Sequence, residues 1–141
     1  MIKNSYVIEP IGLIRSELTD LAKAPMQGIE GGYEAWLEVS PQFAQGLMGI
    51  KTGDNLIVLT WLHLAQRDTL QVHPRGRQES PLKGVFATRS QDRPNPIGLH
   101  QVTVLEVAGP KIKVAPIEAI DGTPLVDIKP VLIHGQARGG T

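Results

Sequence analysis

The residues with the most chemical potential lie close together in Ala87-Thr88-Arg89-Ser90-Gln91-Asp92-Arg93-Pro94-Asn95-Pro96-Ile97-Gly98-Leu99. Pro94 and Pro96 flank Asn95 and restrict the backbone on both sides, so the amide is presented from a loop that has little ordering entropy left to lose. Arg89 and Arg93 stand four apart, and a stiff turn between them could aim both guanidiniums at one anion, a carboxylate or a phosphate. The same pattern also suits a surface turn with two solvated arginines. A second candidate is Asp121-Gly122-Thr123-Pro124-Leu125-Val126-Asp127-Ile128-Lys129-Pro130. Asp127 and Lys129, two apart on an extended segment, share a face and could serve as an acid/base pair or as an ion pair. His63, in Leu62-His63-Leu64 at the end of an apolar run, must be hydrogen-bonded or face a cavity.

Several chemistries are excluded. With no cysteine, thiolate nucleophiles, thiolate metal sites and disulfides are ruled out. His63, His73, His100 and His134 show no metal-cluster spacing, so no metal is expected. No dinucleotide-type or phosphate-loop glycine motif occurs, and Ser16, Ser80 and Ser90 lack the context of a nucleophile elbow.

These groups need a scaffold. At 141 residues the chain is the size of one domain, read as 1–134 with a frayed tail at 135–141. Fifteen Gly and eleven Pro between short runs of Val, Ile and Leu describe short strands joined by turns. The expected strands are Val7 to Ile14, Ala35 to Val39, Asn55 to Leu64 (apolar enough to suggest burial on both faces), Val85 to Thr88 and Val102 to Val107. Val102, Val104, Ile112 and Val114 should point one way across a Gly109-Pro110 turn. Asp121-Gly122 reads as another turn, and Thr123-Pro124 as an extended exit from it. Ser40-Pro41 predicts the start of a short helix of about two turns. Strands at this spacing, without alternating helices, predict an all-β sandwich or closed antiparallel barrel.

Charge is balanced overall, with 14 basic and 14 acidic residues, so the net field points to no polyanion. Locally, Arg67, Arg75, Arg77, Lys83, Arg89 and Arg93 outnumber Asp68, Glu79 and Asp92, making a basic tract rich in phosphate-compatible arginine. The absence of a signal-like or membrane-length apolar run predicts a soluble, cytoplasmic protein with no membrane partner. From the residues alone, no reaction is named.

Gly84-Val85-Phe86-Ala87-Thr88-Arg89-Ser90, followed by Arg93-Pro94-Asn95-Pro96-Ile97-Gly98-Leu99, resembles the TsaA-like, or TrmO, family of tRNA methyltransferases. Asp121-Gly122-Thr123-Pro124 with Asp127-Ile128-Lys129-Pro130 is similar to the family's second hallmark, and Ile11-Gly12-Leu13-Ile14-Arg15-Ser16 to its N-terminal one. The resemblance implies a small homodimeric antiparallel β-barrel with one or two short helices. It also implies S-adenosylmethionine bound near the dimer interface, and methylation of N6 of N6-threonylcarbamoyladenosine at position 37, in the anticodon loop of tRNA. Carried over by motif, Met26, Gln27, Gly28, His63, Leu64, Arg89, Leu99, Ala115, Pro116, Ile117 and Glu118 would contact the cofactor. Two departures stand out: Met26 where the family usually has Arg, and Gly53 to Val58 where it usually has a Phe-Ser-His-Leu-Trp-like run. Many bacterial members also carry a second, C-terminal domain.

Within that frame Asp127 is the candidate base, Lys129 a stabiliser of negative charge or a partner for a carboxylate, and Asn95 a hydrogen-bonding partner of the substrate. Arg67, Arg75, Arg77 and Arg93 would meet anticodon-loop phosphates. The alternatives are a methyltransferase of the same barrel acting on another small substrate, and a non-catalytic module that senses an adenosyl ligand.

Overall fold

A computed structural model describes residues 4–17 and 33–133. It contains eight strands: β1 (Gly12–Ser16), β2 (Ala35–Val39), β3 (Asn55–Trp61), β4 (Gln71–Val72), β5 (Lys83–Gly84), β6 (Ile97–Ala108), β7 (Lys111–Ala115) and β8 (Pro124–Pro130). Six of them form one antiparallel sheet in the spatial order β1-β2-β7-β6-β3-β8, and β8 pairs with β1 to close it as a barrel. β4 and β5 form a separate two-stranded ribbon.

The core follows from alternation. Ile14, Leu37, Val58, Val104, Ile112, Val114 and Leu125 point into the barrel and are all but fully buried, as the period-two spacing of Val102, Val104, Ile112 and Val114 predicted. β1 can approach β2 closely because Gly12 has no side chain: a Cβ there would overlap the carbonyl oxygen of Glu38. Phe43, Leu47 and Ile50 pack against this core, Phe43 and Leu47 from the 3-10 helix Pro41–Leu47. That helix starts at Ser40-Pro41 as expected, although the Ser40 side chain makes no capping hydrogen bond. The Asp121-Gly122 turn also forms, with Gly122 at φ 87°, in the left-handed region that glycine tolerates.

Four expected strands differ, the one expected over Val102 to Val107 by its length, since it runs over Ile97–Ala108. The first runs over Gly12–Ser16, not from Val7, because the segment before Pro10 pairs with nothing in the sheet and leaves Tyr6 and Val7 exposed. The third stops at Trp61 and is not buried on both faces: Leu56, Val58 and Thr60 point inward, while Ile57, Leu59 and Trp61 form a half-covered outer row. Val85–Ala87 is a turn of 3-10 helix, not a strand, because the Thr88 amide bonds back to the carbonyl of Val85 and not to a neighbouring strand.

Candidate functional site

Two clefts adjoin on the protein surface, both lined by Gln91. The smaller, of about 120 Å³, lies where β3 ends and β8 begins. Leu62, His63, Leu64 and Ala65 line it from the turn after β3, with Glu118, Ala119, Ile120 and Thr123 from the segment between β7 and β8 and His100 from β6. Three residues singled out from sequence, His63, Leu64 and Glu118, therefore share one wall system. Of the others, Ile117 is a core residue. Pro116 is exposed and Ala115 half-buried. Met26, Gln27 and Gly28 lie outside the described residues.

The floor of this cleft is polar and was not anticipated. His100 occupies an inward position of β6, in step with Val102, and its Nε2 lies 3.0 Å from the hydroxyl of the fully buried Thr60 on β3. Gly98 makes the space: a Cβ there would overlap Thr60 Oγ1 and press on His100 and Leu62. Burial pushes the imidazole pKa down to about 4, so His100 is neutral at physiological pH. A signal existed in the sequence, since a histidine two residues before Val102 on an alternating strand must face inward. On the neighbouring turn, Thr123 is buried with its hydroxyl donating to the carbonyl of Ile120 at 2.7 Å.

The larger cleft, of about 1090 Å³, is bounded by the β4-β5 ribbon and by the segment from Phe86 to Asp92. Arg75, Lys83 and Arg89 line it, and among the described residues none of the three makes an ion pair. Arg75 sits at φ 59°, next to Gly76 at φ 68°, a conformation uncommon for a residue with a Cβ. Arg77 adjoins this tip and is exposed.

The other two arginines of the basic tract are engaged within the protein. Arg93 donates to the carbonyls of Thr88 and Ser90 at 3.1 and 2.8 Å, so it shapes the loop and is not aimed jointly with Arg89. Arg67 donates to the Pro94 carbonyl at 2.7 Å and to Asn95 Oδ1 at 3.0 Å, while its guanidinium lies 5.1 Å from the Trp61 ring centroid. The Asp92 carboxylate accepts from the amide of Gln66, and the Pro96 carbonyl from the amide of Leu62. The Pro-Asn-Pro loop is thus laced to the turn that carries His63, and its order comes from these bonds as well as from proline.

Leu99, Asp127 and Lys129 lie elsewhere, on the outer face of β6-β3-β8. Leu99 pairs with Leu59, and Leu59 with Asp127; Lys129 pairs with Ile57 one row further on. Asp127 and Lys129 do share a face and form an ion pair at 3.2 Å. Neither lines either cleft. Asp121, by contrast, joins two motifs structurally: its carboxylate accepts from the amide of Ser16 at 3.0 Å and lies 3.8 Å from the guanidinium of Arg15. Among the described residues no group of three acidic or histidine side chains is placed to hold a metal, and no helix is long and apolar enough to cross a membrane.

A closed antiparallel barrel that carries one mainly apolar cleft beside one lined by Arg75, Lys83 and Arg89 defines the class of a small β-barrel domain. Residues 13–135 match the tRNA-methyltransferase O N-terminal domain, and the chain belongs to that family. A relative from Methanothermobacter thermautotrophicus, named a probable S-adenosyl-L-methionine-binding protein, is 40% identical over 87% of this chain and 88% of its own. Another from Archaeoglobus fulgidus, also named a probable S-adenosyl-L-methionine-binding protein, is 47% identical over 87% of this chain, which spans only 33% of that protein. A crystal structure of TrmO from P. aeruginosa superposes with a TM-score of 0.75 at 28% identity, over 99% of this chain and 61% of that one.

Proposed function

We propose that this chain binds S-adenosylmethionine and transfers its methyl group to tRNA, at N6 of N6-threonylcarbamoyladenosine in position 37. The observation that carries the reading is the adjacency of the two clefts at Gln91, in a chain whose family is that of a tRNA methyltransferase domain. The donor set fits the cofactor. Leu62, Leu64, Ala65 and Ile120 offer apolar walls to a heterocycle, Glu118 a carboxylate to hydroxyl or amino groups, and Arg89 a free guanidinium to a carboxylate. When bound, the cofactor supplies a methyl group on a positively charged sulfur. His63, Leu64, Glu118 and Arg89 would hold it, with Ala115 to Ile117 contributing backbone along its edge.

Arg75, Arg77 and Lys83 would meet RNA phosphates, while Arg67 and Arg93 act by holding the loop that presents Asn95 and Arg89. Asp127 would take the N6 proton, and Lys129 would steady the negative charge left on the carbamoyl group. In one protomer these two stand apart from the clefts, on an outer face whose Ile57, Leu59, Ile97 and Leu99 form an apolar band. A homodimer formed through this band would place Leu99, Asp127 and Lys129 at or beside the interface between the two copies. The proposed setting is cytoplasmic.

A specific observation favours a second reading, a module that only binds the adenosyl ligand, because the archaeal relatives are named as binding proteins. A third is a methyltransferase of the same barrel acting on a small molecule. Purified protein is incubated with methyl-labelled cofactor and tRNA bearing or lacking the threonylcarbamoyl group. Label confined to the modified tRNA is the expected result. Cofactor binding with neither RNA labelled would overturn it.

A further inference from the structure

The larger cleft holds a residue that neither cofactor binding nor phosphate contact requires. Phe86 lines it and is 78% exposed. An isolated exposed apolar residue is common on protein surfaces, but three features set this one apart.

The first is the rigidity of its mount. Val85, immediately before it, is 1% exposed, and its amide donates to the carbonyl of Leu70 at 2.9 Å. The amide and the hydroxyl of Thr88 both donate to the Val85 carbonyl, each at 3.1 Å. This single 3-10 turn buries Val85 and turns the next side chain outward. The second is its company: Arg75, Lys83 and Arg89 line the same cleft. The third is contrast, since the chain's other phenylalanine, Phe43, packs on the core.

A flat aromatic face amid unpaired cations is the arrangement that binds single-stranded nucleic acid, where cations track the phosphates and the ring stacks on a base. An apolar protein surface would leave these cations uncompensated, and a duplex presents no free base face along its length. We propose that Phe86 is a stacking platform, in the larger cleft, for an unpaired nucleobase that flanks the target nucleotide presented to the cofactor in the smaller one. This rests on the RNA reading above and adds a contact to a base flanking the target. Stacking reads no base edge, so the preference is for an unpaired base over an absent one and is tolerant of base identity.

The test is equilibrium binding of the full chain to a short, fluorescently labelled single-stranded oligoribonucleotide and to the same backbone with abasic positions. Phe86→Ala should weaken binding of the intact RNA roughly 5- to 100-fold, and Phe86→Trp should preserve it. The abasic RNA should bind the unaltered protein and Phe86→Ala alike. Thermal unfolding should not move, given the exposure of the ring. Equal affinity of the unaltered protein and Phe86→Ala for intact RNA would overturn the stacking role and leave RNA binding standing. Failure of both to bind RNA would overturn the RNA reading together with it. A change in oligomeric state of Phe86→Ala by light scattering would reassign the ring to contact with a second copy.

Discussion

The Arg67 guanidinium donates to Asn95 Oδ1 at 3.0 Å and to the neighbouring Pro94 carbonyl at 2.7 Å, while resting over the Trp61 ring. One side chain thereby ties the end of β3 to the proline-bounded loop. Arg67→Ala should cost about 1–2 kcal/mol of stability and weaken cofactor binding by loosening the loop that presents Arg89. Arg67→Lys should recover only part, since an ammonium cannot reproduce the two-pronged geometry. Denaturant unfolding and calorimetric titration with the cofactor measure both effects.

Arg89→Ala tests the cofactor assignment directly. Loss of a charge-assisted hydrogen bond to a carboxylate should lower affinity for S-adenosylmethionine about 10- to 100-fold, without a change in unfolding midpoint because the side chain is exposed. Unchanged affinity in the same titration would remove Arg89 from the site.

His100 gives the protein a pH dependence of predictable sign. Its folded pKa of about 4 lies below the ordinary 6.5, so the unfolded chain binds the proton more readily. Stability is fully present above about 6.5 and is lost as pH falls towards 4, by an amount of the order of 3 kcal/mol. The non-titrating His100→Gln should flatten this part of the profile. Denaturant unfolding across pH 7 to 4 measures the slope, and an unchanged slope in the variant would refute the assignment.

Asp127 and Lys129 are both partly exposed, so their ion pair should contribute no more than about 1 kcal/mol. Asp127→Asn should therefore leave unfolding nearly unaltered while abolishing most methyl transfer if Asp127 is the base. Retained transfer would return the pair to a surface role.

Gly98→Ala places a methyl group against the Thr60 hydroxyl, the His100 ring and Leu62. Displacing that hydrogen-bonded pair should cost about 1–3 kcal/mol. Gly12→Ala should cost more, because the obstacle there is the backbone of Glu38 and Val39 and not a side chain that can turn aside. Unfolding midpoints of the two variants rank them.

The barrel was legible where alternation was clean. Val102, Val104, Ile112 and Val114 face the core as their spacing requires. In β3 the outer row is apolar as well, and Ile57 and Leu59 therefore read like core residues although they are only half covered. Val85 and Phe86 have the side chains of a strand, yet the fold uses one as an anchor and the other as an outward display, a tertiary choice that overrides local preference. Among the cations, composition marks a tract but not the division of labour. Only the bonds made by Arg67 and Arg93 show that these two serve the scaffold, leaving Arg75, Lys83 and Arg89 facing open space. The pairing of Asp127 with Lys129 was legible from their spacing; their distance from the clefts depends on barrel closure.

That closure has one more effect. With β8 hydrogen-bonded to β1 through Leu125 and Pro124, each of the six strands has a neighbour on both sides for part of its length, and none is an open edge strand. A partner strand therefore finds no full-length edge along which to extend this sheet. Recognition thus falls chiefly to side chains and loop backbone, and specificity can change by substitution at the surface without disturbing the hydrogen bonding that holds the six strands together.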